Sequence, residues 1–253
     1  MTRADRGIPS ALILLFRATD RHFILQDVIL AIHKAIQKLP DFDFSDPTLL
    51  TMLPFPSTLG IPTQRFKWSK QDNFYLFQYM GRSKFKDLLG RVQGDNFLEG
   101  FEHIYLCGSS GCGKSHILAA LACKLIREKK RVLYIPNCAE LLMDFKEVIR
   151  IGLYFACYES EPLLEEIRSA LDFDDLYRIW KKQKDIYFIV DQLNALEPDS
   201  DVKKGQVTEW LKTMSRGRQY IFSAFANEQS NRVAVISCNG GMNQVCLCFN
   251  GLV

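Results

Sequence analysis

Residues 108–115 read Gly-Ser-Ser-Gly-Cys-Gly-Lys-Ser, a full match to the phosphate-binding pattern G-x-x-x-x-G-K-[ST]. Its glycines let the backbone turn tightly with amide hydrogens pointing inward, and a following helix adds a positive dipole end. Lys114 is expected to be a catalytic residue whose positive charge binds the β- and γ-phosphates. The Ser115 hydroxyl is expected to ligate Mg²⁺. The pattern therefore predicts an ATP and Mg²⁺ site formed by Gly108, Ser109, Ser110, Gly111, Cys112, Gly113, Lys114, Ser115 and His116.

An acidic candidate follows a second apolar run. Asp191 comes directly after residues 186–190, which are all apolar. Open parallel sheets bind their ligands at the carboxyl ends of the strands, so a carboxylate there is well placed to hold the Mg²⁺ shell. We therefore predict Asp191 as a catalytic and metal residue beside Ser115.

The elements that must position these residues alternate along the chain. Near-continuous apolar runs predict strands that are buried on both faces, as in a parallel sheet. These strands are expected at 103–107, 131–135, 186–190 and 220–226. Helices are expected at 116–126, 138–151, 162–171, 174–183 and 206–215. The alternation predicts an α/β fold in which helices cover a parallel sheet.

Composition and charge argue against several kinds of partner and site. The 253 residues carry a net charge of +3 and are 47% hydrophobic, so charge does not indicate a nucleic-acid partner. Eight cysteines without any C-x-x-C pair argue against zinc and suit free thiols in a reducing compartment. The N-terminal apolar run 11–16 is too short for a signal peptide or a membrane span. We expect an intracellular soluble protein of the cytoplasm or nucleus, without a membrane partner.

Several features resemble one branch of the P-loop ATPases. A strand lies between the glycine loop and Asp191 in the chain, as in the additional-strand branch that includes the AAA+ and STAND groups. The run 79–89 resembles their Gly-Arg box, with Ser83 where an acidic residue is usual. This resemblance implies a three-layer P-loop sandwich, an adenine pocket lined by Gly81 and Arg82, and a catalytic γ-phosphate sensor at Asn227.

A larger set of segments looks like the P-loop module of Crinkler-type effector proteins, which are related to retrotransposon hot spot proteins. The matching segments are 53–64, 108–116, 131–136, 188–196 and 221–224. The resemblance implies an ATP-binding module that precedes a separate C-terminal effector domain. It also implies secretion into a host cell and targeting to its nucleus.

Three parts of the chain follow from this interpretation. We expect a helical and irregular N-terminal extension at 1–70, the P-loop NTPase domain at 71–230 and a short irregular tail at 231–253. The tail reads as a truncated C-terminus without a lid or an effector domain. It is therefore expected to be dispensable for nucleotide binding.

Whether ATP is hydrolysed stays open at this level. Gln192 stands where this branch commonly has a water-activating carboxylate, and an amide does not accept a proton near neutral pH. Other carboxylates at 159, 161, 197, 199 and 228 have no spacing that singles one out. The alternatives are a slow or partner-dependent ATP hydrolase, a non-hydrolysing switch that self-associates or binds a protein partner, and a truncated inactive fragment.

Overall fold

The computed structural model describes residues 20–59, 62–94, 102–197, 200–223 and 243–249. Within these ranges, eight strands form two sheets. The strands are β1 (Leu50–Pro54), β2 (Trp68–Gln71), β3 (Phe74–Met80), β4 (Glu102–Gly108), β5 (Arg131–Ile135), β6 (Ile186–Val190), β7 (Tyr220–Ser223) and β8 (Asn243–Phe249). The last five form a parallel sheet in the order β5-β6-β7-β4-β8. This sheet confirms the predicted α/β fold.

Helices flank the parallel sheet. They are α1 (Asp20–Gln37), α2 (Lys84–Val92), α3 (Lys114–Arg127), α4 (Ala139–Ala156), α5 (Glu161–Ser169), α6 (Phe173–Lys182) and α7 (Val202–Ser215), with a 3-10 helix at Leu193–Leu196. Both α3 and α4 pack on β5, and α1 and α2 pack on α3. Every residue of β6 is buried, as its unbroken apolar sequence predicts. Among the described helices, none combines the length and apolar character that a membrane-spanning segment needs.

The smaller sheet is antiparallel and has the order β1-β3-β2. It packs on α1 and α3, and the Cys123 thiol of α3 donates a hydrogen bond to the Pro54 carbonyl at 3.2 Å. The expected domain boundary at residue 70 falls inside β2 and splits a hairpin. The expectation of a helical and irregular extension missed this sheet, because the exposed β2 has no apolar alternation to signal a strand.

The predicted irregular tail is wrong for residues 243–249. They form β8, which pairs in parallel with β4 along its whole length, from Glu102 opposite Asn243 to Gly108 opposite Phe249. Without β8, β4 would be an edge strand with unpaired backbone groups. The tail carries no recognisable nucleotide-fold motif of its own, and β8 forms by pairing with β4, which is distant in the chain.

Candidate nucleotide-binding site

A cavity of about 220 Å³ lies where β4, β6 and β7 end. Its lining comes from the glycine loop, the start of α3, the ends of β6 and β7, and the loop that leads to β2. The lining residues are Arg65, Ser110, Gly111, Gly113, Lys114, Ser115, His116, Asp191, Gln192, Asn194 and Ser223. Lys114, Ser115 and Asp191, predicted from two distant segments, therefore share one cavity.

The glycine loop has the backbone geometry that its sequence predicts. Gly113 has a φ of 90° and caps the start of α3, where the Ile117 N–H donates to its carbonyl at 3.0 Å. This φ favours glycine, and a Cβ at Gly113 would lie 2.3 Å from the Cζ atom of Arg82, so a larger residue would also displace the Arg82 side chain. The glycine loop thus joins α3 at Gly113, whose backbone is left-handed and which contacts the Arg82 guanidinium.

Lys114 lies folded along its own loop. Its Nζ donates to the carbonyl oxygens of Gly108 at 2.6 Å and Ser109 at 2.9 Å, and the side chain is buried. A buried ammonium is costly unless polar groups surround it. The loop therefore holds a positive charge at the cavity, supported by two backbone carbonyls.

Asp191 is the buried acidic group of the site, with 1% of its surface exposed. Its Oδ1 accepts hydrogen bonds from the Gln192 N–H at 2.9 Å and from the Ser223 hydroxyl. Among the described residues, no donor lies at bonding geometry to its Oδ2. Burial raises the pKa of this carboxyl, while the Ser223 and Ser115 hydroxyls and the charge of Arg65 lower it in part.

Asp191 Oδ2, which has no partner among the described residues, lines the same cavity as the Ser115 hydroxyl. Oxygen atoms of this kind are suitable ligands for a small cation. Mg²⁺ prefers oxygen ligands and retains several waters, so one carboxylate and one hydroxyl are a sufficient protein contribution. Within the described ranges, no three His, Cys, Asp or Glu side chains come together as a metal site. A cation here would thus take its remaining ligands from water and bound phosphate.

Gln192 lines the cavity but its side chain is engaged elsewhere. Its backbone is left-handed, with φ 63° and ψ 41°, and its Nε2 donates to the Pro136 carbonyl at 3.1 Å. The amide therefore braces the end of β6 against the segment that follows β5.

His116 joins the cavity to the small sheet. Its ring lies 4.7 Å from the ring of Phe66 and 6.4 Å from that of Phe77, measured between centroids. Burial, with the charge of Arg82, lowers the pKa of His116 to about 4. The imidazole is therefore neutral near pH 7 and acts as part of an aromatic contact.

The remaining predicted residues lie around the cavity without lining it. Gly81 packs against the backbone of the segment before β1, where a Cβ would meet the Asp46 carbonyl oxygen at 1.9 Å. Arg82 contacts the outside of the glycine loop, with Nη1 at 3.5 Å from the Cys112 carbonyl. Gly108, Ser109 and Cys112 belong to the loop but not to the cavity lining. Asn227 lies outside the described residues.

Three lining residues had no predicted role in the site, namely Arg65, Asn194 and Ser223. Ser223 was assigned only to a strand interior, although a hydroxyl at the end of an apolar run resembles the position of Asp191. Arg65 lies in the loop before β2, directly after the segment 53–64, and only the tertiary structure places it at the cavity. No protein-family model matches the chain, and no curated protein matches its sequence.

Proposed function

We propose that this chain is a Mg-ATP-binding P-loop NTPase module. The observation that carries the proposal is the convergence of Lys114, Ser115 and Asp191 on one cavity, with Asp191 Oδ2 lacking a partner among the described residues. A glycine loop at a helix start supplies inward N–H groups for the phosphates. Together they provide donors, a positive charge and metal ligands for a polyphosphate.

The strand order supports the finer fold assignment. In the sheet, β7 separates β4, which leads into the glycine loop, from β6, which delivers Asp191. The strand that lies between them in the chain is β5, which stands at the edge of the sheet, so β7 is the inserted strand. An inserted strand is the feature of the additional-strand P-loop branch, and membership of the Crinkler-type group is our proposal on the sequence resemblance alone.

Each residue of the site has a distinct task in this proposal. When bound, Mg²⁺ would supply positive charge that offsets the charge of the phosphate oxygens. Lys114 would exchange its contacts with the loop carbonyls for phosphate oxygens, while Ser115 and Asp191 would hold the cation. Ser223 bonds the Asp191 carboxylate at Oδ1, which would leave Oδ2 available to the cation.

Turnover is expected to be slow. Chemistry at the γ-phosphate needs a positioned water, usually held by a carboxylate. Gln192 has no such group, and its amide is bonded to the Pro136 carbonyl. This contact also favours the alternative of a nucleotide-dependent switch that binds ATP, associates with a partner and releases little phosphate.

Thermal unfolding with and without Mg-ATP tests binding. A ligand at 100 times its Kd stabilises the folded state by about 2.7 kcal/mol, which is roughly 5–10 °C for this size. We expect Lys114→Ala to lose this shift and Lys124→Ala to retain it, because Lys124 lies on the same helix but pairs with Glu128. The absence of a shift in the parent at millimolar Mg-ATP would refute the proposal.

Phosphate release separates the hydrolase from the switch. We expect the parent to work far below the ordinary enzyme rate of around 10 per second, and Gln192→Glu to be faster. Asp191→Ala should remove whatever turnover exists, because it removes the proposed metal ligand. If the parent released phosphate at an ordinary enzyme rate, Gln192 would not be the cause of slow turnover. If no variant released phosphate, the switch would be favoured.

A further inference from the structure

The loop between β1 and β2 contributes a cation to the candidate nucleotide site. Arg65 lines the same cavity as Lys114, Ser115 and Asp191, although it precedes all three by a long stretch of chain. Its side chain is exposed, in contrast to the buried Lys114. The cavity is thus lined by two basic side chains, Arg65 and Lys114, from separate parts of the fold.

The position of Arg65 is set by its neighbour. Phe66 is 3% exposed, and its ring lies 5.2 Å from that of Phe55 and 5.3 Å from that of Phe77. The same ring lies 4.7 Å from His116, which directly follows the glycine loop motif. Because aromatic contacts of this kind are specific in geometry, Phe66 ties Arg65 to the start of α3.

The Phe66 backbone adds a second constraint. Its N–H donates to the Thr63 carbonyl at 3.0 Å, which closes a turn around Arg65. An arginine whose backbone is held in this way loses less conformational entropy when it binds a ligand than one on a free loop.

Arg65 acts on the metal end of the cavity. Its neighbour Phe66 contacts His116, which directly follows Ser115, and Arg65 and Asp191 line the same cavity. Asp191 and Ser115 would hold the proposed cation, which in P-loop proteins lies beside the β- and γ-phosphates. A guanidinium on this side would therefore face the outer end of a bound triphosphate, away from the phosphates that the loop would cradle.

We propose that Arg65 is a phosphate-binding residue that recognises the terminal phosphate of a nucleoside triphosphate and so distinguishes ATP from ADP. The inference rests on the proposed function and adds to it a specificity residue from outside the motif-bearing segment. The planar guanidinium donates two parallel hydrogen bonds to a phosphate, which the point charge of lysine does not reproduce.

Affinity measurements by calorimetry with Mg-ATP and Mg-ADP test this inference. We expect Arg65→Ala to weaken Mg-ATP binding about tenfold and Mg-ADP binding less than threefold, with Arg65→Lys between Arg65→Ala and the parent. The matched control is Lys67→Ala, which removes an exposed cation from the same loop that does not line the cavity. This variant should bind both nucleotides as the parent does.

Two results would overturn the inference while leaving the proposed function in place. One is a parent that binds nucleotide and an Arg65→Ala variant whose affinities are unchanged. The other is an equal loss for ATP and ADP in both Arg65 variants. A parent that binds neither nucleotide would overturn the proposed function, and the inference with it.

Discussion

The cavity has two walls that differ in how they are held. The sheet wall consists of Lys114, Ser115, Asp191 and Ser223, and each of these residues is at most 8% exposed. The loop wall is the exposed Arg65, held in place by the buried Phe66, which does not itself line the cavity. Changes in the sheet wall therefore alter stability and binding together, because Lys114 is bonded to two loop carbonyls and Ser223 to the buried Asp191 carboxylate. Arg65 separates the two effects, since solvent already surrounds part of its side chain.

The largest expected effect comes from removing the strand that supports the sheet wall. Deletion of residues 243–253 leaves β4 without the partner that reaches Gly108. At roughly 1 kcal/mol for each lost backbone hydrogen bond, we expect a loss of about 3 kcal/mol or more, roughly 6–12 °C in melting temperature. Calorimetry measures this change.

Deletion of residues 250–253 alone is the matched control, because β8 stays in place, and it should melt as the parent does. If the longer deletion also melted like the parent and kept its nucleotide affinity, the tail would be dispensable. The sheet wall would then not depend on β8.

The contact between the two walls should make stability depend on pH. His116 has a folded pKa of about 4, against 6.5 for an exposed imidazole. Because the unfolded chain binds a proton first, stability is fully present above pH 6.5 and is lost as pH falls toward 4. Between pH 7 and pH 5 this group removes about 2 kcal/mol of unfolding free energy.

We expect His116→Phe to keep the ring contact with Phe66 and to lose that part of the pH dependence. Urea unfolding at pH 7 and pH 5 measures the difference between this variant and the parent. His33 and His103 have lowered pKa values and remain in both proteins, so only the difference is informative. Equal pH dependence in the two proteins would contradict the proposed burial of His116.

A smaller effect is expected within the sheet wall. Ser223→Ala removes a donor from the buried Asp191 Oδ1, which should cost about 1.5 kcal/mol of stability. It should also raise the pKa of Asp191 further, because the Ser223 hydroxyl lowers it in the parent. Since Mg²⁺ needs the ionised carboxylate, Mg-ATP binding should weaken most at low pH and recover as pH rises.

Nucleotide affinity measured between pH 6 and pH 8.5 checks this expectation. Ser215→Ala is the matched control, because it removes a buried serine hydroxyl that donates to the Lys212 carbonyl outside the cavity lining. If Ser223→Ala had the same pH profile as the parent, the proposed role of Ser223 in the site would be contradicted.

The smallest effect should come from Arg65. Arg65→Ala in the absence of nucleotide is expected to change the free energy of unfolding by less than about 0.5 kcal/mol, as for most surface substitutions. Phe66→Ala should instead cost about 3 kcal/mol or more, because it empties a buried aromatic position. Chemical denaturation measures both, and equal losses would show that the two residues act as one structural unit.

The sequence by itself determined the parts of the protein that are local. The glycine loop, the helix that begins at Lys114 and the strand before Asp191 follow from neighbouring residues. Apolar runs also predicted the helices α4 to α7, with ends displaced by a few residues. Backbone conformation and periodic burial act over short stretches of chain, so these elements are legible without the fold.

Only the tertiary structure decided which distant segments share the cavity. Strand order places β7 beside both β4 and β6 and so brings Ser223 to Asp191. Packing of the small sheet on α3 brings Arg65 to the same place. The local signal at either position is weak, because an arginine in a loop and a serine at the end of an apolar run occur for many reasons. Their placement at the cavity arises from long-range packing, which depends on contacts between segments and on no single segment's pattern.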